Sequence, residues 1–146
     1  MMSVAAHIYD GSCHCGAIKV RLSFTIPPDE VQMRSCQCGF CTRQGAVTIS
    51  DPAGRAVIEI QGGHISLYKF ATQSAGSMIC VTCGVYAGAV LQHGPRTWSI
   101  ANTRGLAIEA FKGRSGTPMH YEHETADERI ERRRQRWTPT ELTIKV

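Results

Sequence analysis

The chain has 146 residues, 42% hydrophobic and 19% charged, which suits one soluble globular domain with a core that needs no crosslinks. No apolar run approaches the ~20 residues that span a bilayer, and the first residues carry neither a basic start nor a sustained apolar stretch, so membrane and secretory readings are set aside and a cytoplasmic location is expected. The formal charge of +4 would fall to +1 if all seven cysteines ionised around two zinc ions, so no strong general attraction to nucleic acid or membranes is expected.

Short strands dominate the pattern. Residues 17–24 alternate Ile18, Val20, Leu22 and Phe24 with Lys19, Arg21 and Ser23, the period of two that marks a half-buried strand. Similar runs are predicted at 31–35, 46–50, 56–60, 65–70, 77–80, 85–91, 97–101 and 142–146, with turn signals such as Pro27-Pro28-Asp29 and Asp51-Pro52-Ala53-Gly54 between them. This pattern predicts a mainly β fold, an antiparallel sandwich or barrel-like sheet. One helix is predicted at 125–137. Thr125 and Glu128 have capping-box spacing, Asp127 and Glu128 sit in the first turn, and Arg132, Arg133, Arg134 and Arg136 follow before Pro139. Those arginines are expected on a solvated surface; the competing reading is a contact face for nucleic acid or an acidic partner.

The chemistry lies in the cysteines. They fall in three clusters: Cys13-His14-Cys15-Gly16, Cys36-Gln37-Cys38-Gly39-Phe40-Cys41 and Cys80-Val81-Thr82-Cys83-Gly84. Tetrahedral zinc, with Zn–S bonds of ~2.3 Å, needs sulfurs roughly 3.8 Å apart, which Cys-x-x-Cys turns and Cys-x-Cys strand ends can supply. Seven closely spaced thiols, an odd number, fit metal sites better than a disulfide framework. Gly16, Gly39 and Gly84 each follow a cysteine and can adopt turn conformations that aim backbone N–H groups at thiolates. Ligand counting pairs Cys13 and Cys15 with Cys80 and Cys83 in a closed four-thiolate site. Cys36, Cys38 and Cys41 are left as a three-thiolate site. Its fourth position is either open for catalysis or filled by a histidine, with His14, His64, His93, His120 and His123 as candidates.

The ordered motifs Gly11-Ser12-Cys13-His14-Cys15-Gly16-Ala17, Cys36-x-Cys38-x-x-Cys41-x-x-x-Gly45-Ala46 and Cys80-x-x-Cys83-Gly84 resemble the glutathione-dependent formaldehyde-activating enzyme family, also called the centromere protein V family. The resemblance spans residues 10–105 of a single domain covering 1–146; the tail at 119–137 is shared with a subgroup. It implies a mainly β, Mss4-like β-tent of short antiparallel strands with a short C-terminal helix. It also implies a structural zinc on Cys13, Cys15, Cys80 and Cys83, and a catalytic zinc on Cys36, Cys38 and Cys41 whose free position receives a thiol. The implied activity is that of a carbon–sulfur lyase, with glutathione and formaldehyde combining to S-hydroxymethylglutathione. No glutathione site is legible. Arg43, Gln44, Asn102 and Arg104 are the candidate substrate-binding residues, and Trp98 is expected in the core.

Overall fold

The computed structural model describes residues 6–69 and 75–145. The expected mainly β architecture is present. Eleven strands form one continuous sheet: β1 (His7–Ser12), β2 (Ile18–Phe24), β3 (Arg34–Cys36), β4 (Thr48–Ile49), β5 (Arg55–Gln61), β6 (Ile65–Tyr68), β7 (Gly76–Cys80), β8 (Tyr86–His93), β9 (Arg96–Asn102), β10 (Thr117–Met119) and β11 (Thr138–Lys145). Among the described residues two α-helices accompany these eleven strands, α1 (Gly39–Gln44) and α2 (Ala126–Arg136). No described helix is long and apolar enough to cross a membrane.

Alternation explains the best-predicted strands. In β2, Ile18, Val20, Leu22 and Phe24 are buried while Lys19 and Arg21 are exposed. β5 does the same with Ala56, Ile58 and Ile60, and the two strands pair antiparallel with Ile18 opposite Ile60. Their inward faces join Tyr9, Phe111, Leu106 and Ile108 in the main core. Burying a large aliphatic or aromatic side chain is worth about 1.5–3 kcal/mol, so this row of them fixes the register.

The expected all-antiparallel pairing needs correction. β11 runs parallel to β5, with Leu142 opposite Ile58, and β10 runs parallel to β3. A parallel partner needs a long crossover, which the chain between β5 and β11 supplies. The strand order is β1-β2-β5-β11-β9-β4-β3-β10, while β6, β7 and β8 continue from the other edge of β9. Two strands lie outside the prediction, β1 and β10, and most boundaries move, several by only a residue or two. The run at 31–35 becomes β3, that at 46–50 shrinks to β4, and that at 142–146 begins earlier, at Thr138. Residues 70 and 146, the ends of two predicted runs, lie outside the described residues.

The helix prediction holds closely. Thr125 caps α2 reciprocally: Glu128 N–H donates to Thr125 Oγ1 at 3.2 Å and Thr125 N–H to Glu128 Oε1 at 3.1 Å. Pro139 does not itself end the helix; it is the second residue of β11, paired with Trp98. Trp137 and Trp98 meet Leu91 and Ala89 in a second core cluster.

Candidate metal centres and the cavity beside them

Cys13 and Cys15 occupy the turn between β1 and β2; Cys80 ends β7 and Cys83 follows in the turn to β8. Gly16 and Gly84 close these turns with φ of 84° and 79° and donate their N–H groups to the carbonyls of Cys13 and Cys80. The Sγ atoms of Cys13 and Cys15 are 3.8 Å apart, those of Cys15 and Cys80 3.5 Å, and all four lie within 4.8 Å of one another. None of the seven cysteines forms a disulfide. These are the sulfur separations of a tetrahedral zinc–thiolate site, which fall near ~3.8 Å. Backbone donors also meet the charge of thiolates. Ile18 N–H reaches Cys13 Sγ at 3.2 Å. The Cys15 N–H aimed at Cys83 outweighs burial and holds that thiol down to about 6. The donor set fits zinc.

The second centre is assembled within six residues. Cys36 ends β3, Cys38 is the N-cap of α1, and Cys41 lies in its first turn. A tight turn was expected at Cys38-x-x-Cys41, but the segment continues into a helix because Gly45, at φ 60°, stops it with a left-handed cap. Gly39, in the helix, does not take a positive φ, unlike the glycines of the first centre. Cys41 N–H donates to Cys38 Sγ at 3.3 Å. The three sulfurs also lie within 4.8 Å. Crowded this way they cannot all ionise alone. Hydrogen bonding from the Cys41 thiol holds Cys36 down to about 5, and the same contact pushes Cys41 far up. A divalent cation relieves that conflict, so this set also fits zinc. No histidine ligand atom belongs to either group of sulfurs; His64 bonds Thr82 through Nδ1 and His120 faces Glu122.

The two centres differ in their surroundings. Cys36, Cys38 and Cys41 line a cavity of about 460 Å³; the four-cysteine group does not. Tyr86 is in the wall, 3% exposed, packed edge-on against Phe40. Burial, then the neighbouring Cys41 and Cys36, push its phenol well above the usual tyrosine range. Residues of α2 line the same cavity, and Arg132 and Arg133 lie within electrostatic reach of Cys36. Arg129, Arg132 and Arg133 turn toward the cavity and Arg34 of β3 joins them. Arg132 stacks 3.6 Å over the Tyr121 ring and donates to Glu124 at 2.9 Å.

The sequence-predicted substrate residues are not brought to this cavity. Arg43 lies exposed on α1 and donates to Gly39 O at 2.7 Å; Gln44 is exposed beside it. Arg104 is exposed and reaches Gly45 O at 3.4 Å. Asn102 is 2% exposed; its Oδ1 accepts from Val47 N–H and its Nδ2 donates to Tyr86 O. It fastens three segments together and has no group facing the cavity lining. Trp98 is in the core as expected. What sequence reasoning missed is the inward face of α2. Its signal was the i, i+3, i+4 spacing of Arg129, Arg132 and Arg133, which puts them on one side of the helix.

The fold is thus mainly β and brings together two groups of cysteines that could each hold a metal ion, four sulfurs in one and three, beside a cavity, in the other. The chain belongs to the glutathione-dependent formaldehyde-activating enzyme family, whose sequence profile matches residues 8–126. No protein of curated function matches it. A Rhodobacter sphaeroides protein of known crystal structure shares the fold: it is 24% identical, the alignment covers 77% of this chain and 99% of that one, and the TM-score is 0.54. The family match stops at the first residue of α2, so Arg129, Arg132 and Arg133 lie beyond it, while Arg34 lies within it.

Proposed function

We propose that this protein catalyses the reversible addition of a thiol to an aldehyde, a carbon–sulfur lyase-type reaction. Glutathione with formaldehyde, giving S-hydroxymethylglutathione, is the pair the family description points to. Cys36, Cys38 and Cys41 hold the catalytic zinc, and Cys13, Cys15, Cys80 and Cys83 hold a second, structural one. The observation that carries this reading is the contrast between the centres. Four sulfurs would saturate a tetrahedral ion outside the lining of this cavity, whereas three leave a position beside a space that admits a small molecule.

Zinc, when bound to the three thiolates, supplies a position at which a thiol loses its proton near neutral pH. In the addition, a bond forms between sulfur and the carbonyl carbon. The C=O π pair moves to oxygen, and the proton given up by the thiol ends on that oxygen. The reverse reaction breaks the carbon–sulfur bond, and no electron carrier is needed. The chain's own residues do the rest. The walls around the cavity limit water and hold the reactants together. Tyr86 keeps its proton at all physiological pH values and offers a hydrogen bond to the developing alkoxide. The arginines of α2 orient a charged substrate.

The competing reading, a non-enzymatic zinc module that presents a basic helix to nucleic acid or an acidic partner, would rest on the exposed Arg134 and Arg136. Arg129, Arg132 and Arg133 face the cavity, and Arg134 is paired with Glu131 at 3.5 Å. The test is exchange spectroscopy of the thiol–aldehyde equilibrium, beginning with glutathione and formaldehyde. Acceleration by the zinc-loaded protein, lost in Cys38→Ser, is the expected result. No acceleration with both centres metallated rules out that pair.

A further inference from the structure

The cavity beside the three-cysteine centre has a lining of mixed character. Ile100, Ala89 and Trp137 supply apolar surface, Arg34, Arg129, Arg132 and Arg133 supply a cationic one, and the two meet where Arg133 lies 5.1 Å over the Trp137 ring. A surface helix normally turns its arginines outward, because burying a guanidinium costs hydration. Here burial lowers the pKa of Arg34 and Arg133, the latter to about 10, and the nearby Arg132 and Arg129 add like-charge repulsion at Arg133. Even so lowered, Arg34 and Arg133 keep their protons at neutral pH.

The charges do not cancel. Glu124 takes Arg132 at 2.9 Å and lies 3.9 Å from Arg129. Glu122, the one carboxylate among the described lining residues, stands exposed at the rim beside His120. Three thiolates with a divalent ion carry one further negative charge. Four positive charges therefore face three negative ones. Donor capacity is also left over: Nε of Arg129 is buried and, among the described residues, makes no hydrogen bond, its nearest carboxylate oxygen being the Glu124 Oε1 at 3.9 Å.

We propose that the cavity selects a monoanionic substrate with an apolar body, an aldehyde or thiol whose carboxylate lies at the opposite end from its reacting carbon or sulfur. The carboxylate meets the arginine face, the body lies along Ile100 and Trp137, and the reacting end points at Cys36, Cys38 and Cys41. This inference rests on the three-cysteine centre being the site of reaction. Glutathione fits the same space less well: it is polar along its length, and its ammonium would enter among the guanidinium groups. Three of the four arginines, Arg129, Arg132 and Arg133, belong to a helix that begins where the family match ends, so most of this selectivity is a property of the tail, added to the shared core.

An unreactive ligand separates binding from chemistry. Calorimetric titration of the zinc-loaded protein with 3-phenylpropanoate, against 3-phenylpropanamide of the same shape, reads the arginine face directly. The acid binds at least about tenfold more tightly than the amide, the usual worth of a charge-assisted hydrogen bond to a carboxylate. Arg129→Gln and Arg133→Gln each weaken the acid about tenfold and leave the amide unchanged. Arg55→Gln, in a distant surface ion pair with Glu141, changes neither. Metal content and melting temperature confirm that each variant is folded, and Arg133→Lys serves if Arg133→Gln is not. Equal binding of acid and amide, or acid binding that survives the double Arg129→Gln, Arg133→Gln variant, overturns the proposal. A protein that binds the acid yet accelerates no thiol–aldehyde exchange keeps the anion site and refutes the reaction. One that accelerates exchange but ignores the charge does the reverse.

Discussion

Replacing one cysteine in each centre separates their roles. Cys80 is fully buried, and its sulfur lies 3.5 Å from that of Cys15, 65 positions away in sequence. A crosslink closing a loop of that length restrains the unfolded chain by about 4 kcal/mol on the chain-entropy relation. Cys36 to Cys41 spans six residues, for which the same relation gives about 2 kcal/mol. The cap geometry widens the difference. Cys38 accepts the N–H of Cys41 as the N-cap of α1, and serine is among the best N-cap residues, so Cys38→Ser keeps the helix start while losing a thiolate. Cys80→Ser has no such compensation. Against a stability of about 5–15 kcal/mol, its loss of about 4 kcal/mol lowers the melting temperature by about 10 °C or more. The assay is zinc per chain by elemental analysis alongside thermal melting followed by circular dichroism. We expect each variant to lose about one zinc, with Cys38→Ser melting within a few degrees of the parent. Equal destabilisation by both substitutions, or a Cys80→Ser protein with full metal and unchanged melting, refutes the division into a structural and a reactive centre.

Three further outcomes follow from single contacts. Tyr86→Phe retains the ring that packs against Phe40 but removes the hydroxyl, so steady-state turnover falls by about a hundredfold with unchanged zinc content; undiminished turnover removes Tyr86 from the reaction. Gly88→Ala is severe, because φ is 145° and a methyl group there would sit 2.1 Å from the Ile100 carbonyl oxygen across the β8–β9 pair. A loss above about 3 kcal/mol in denaturant titration is expected, and a neutral result contradicts that close approach. Thr125→Ala removes one half of the capping box and costs about 1 kcal/mol by the same titration, with a Thr125→Ser control near parent stability.

Different parts of the molecule were legible to different degrees, and for physical reasons. Thiolate zinc sites demand one residue type at short spacing, so the grouping of Cys13, Cys15, Cys80 and Cys83 could be reached by counting, and the structure does bring those sulfurs together. The strand β2 is plain because one face is buried and the other is wet. The same period of two says nothing about direction, so the parallel placement of β11 against β5 was invisible. β1 was missed because Asp10, Gly11 and Ser12 have the composition of a turn; an edge strand pairs on one side only and tolerates them. Asn102 illustrates the limit for polar residues. A free amide and a buried one with both ends bonded have the same letter, and only the approach of Val47 and Tyr86 tells them apart. The arginine face failed for a related reason: charge predicts solvent until the tertiary position of the helix is known.

That position is set by β11, and here the boundary of the family match is instructive. Residues beyond 126 could have been a loose appendage on a self-sufficient core. They are not. β11 lies between β5 and β9 in the strand order and pairs with both. Thr138, where it begins, is 1% exposed, and its Oγ1 accepts from the Asp51 N–H at 2.9 Å. Ser50 Oγ, one residue earlier, donates to the carbonyl of Arg136 at 2.7 Å, and Trp137 between them is buried against Trp98. Arg136, Trp137 and Thr138, where α2 passes into β11, are thus held by the sheet, and from that anchor the helix runs along the cavity. Its arginines are carried to the three-cysteine centre by backbone placement before any attraction acts on them. A segment that completes the sheet therefore also shapes the space in which the chemistry is proposed, so substitutions along Arg129, Arg132 and Arg133 can retune selectivity without disturbing the sulfur ligands. Changes at Trp137 or Thr138, by contrast, must alter both.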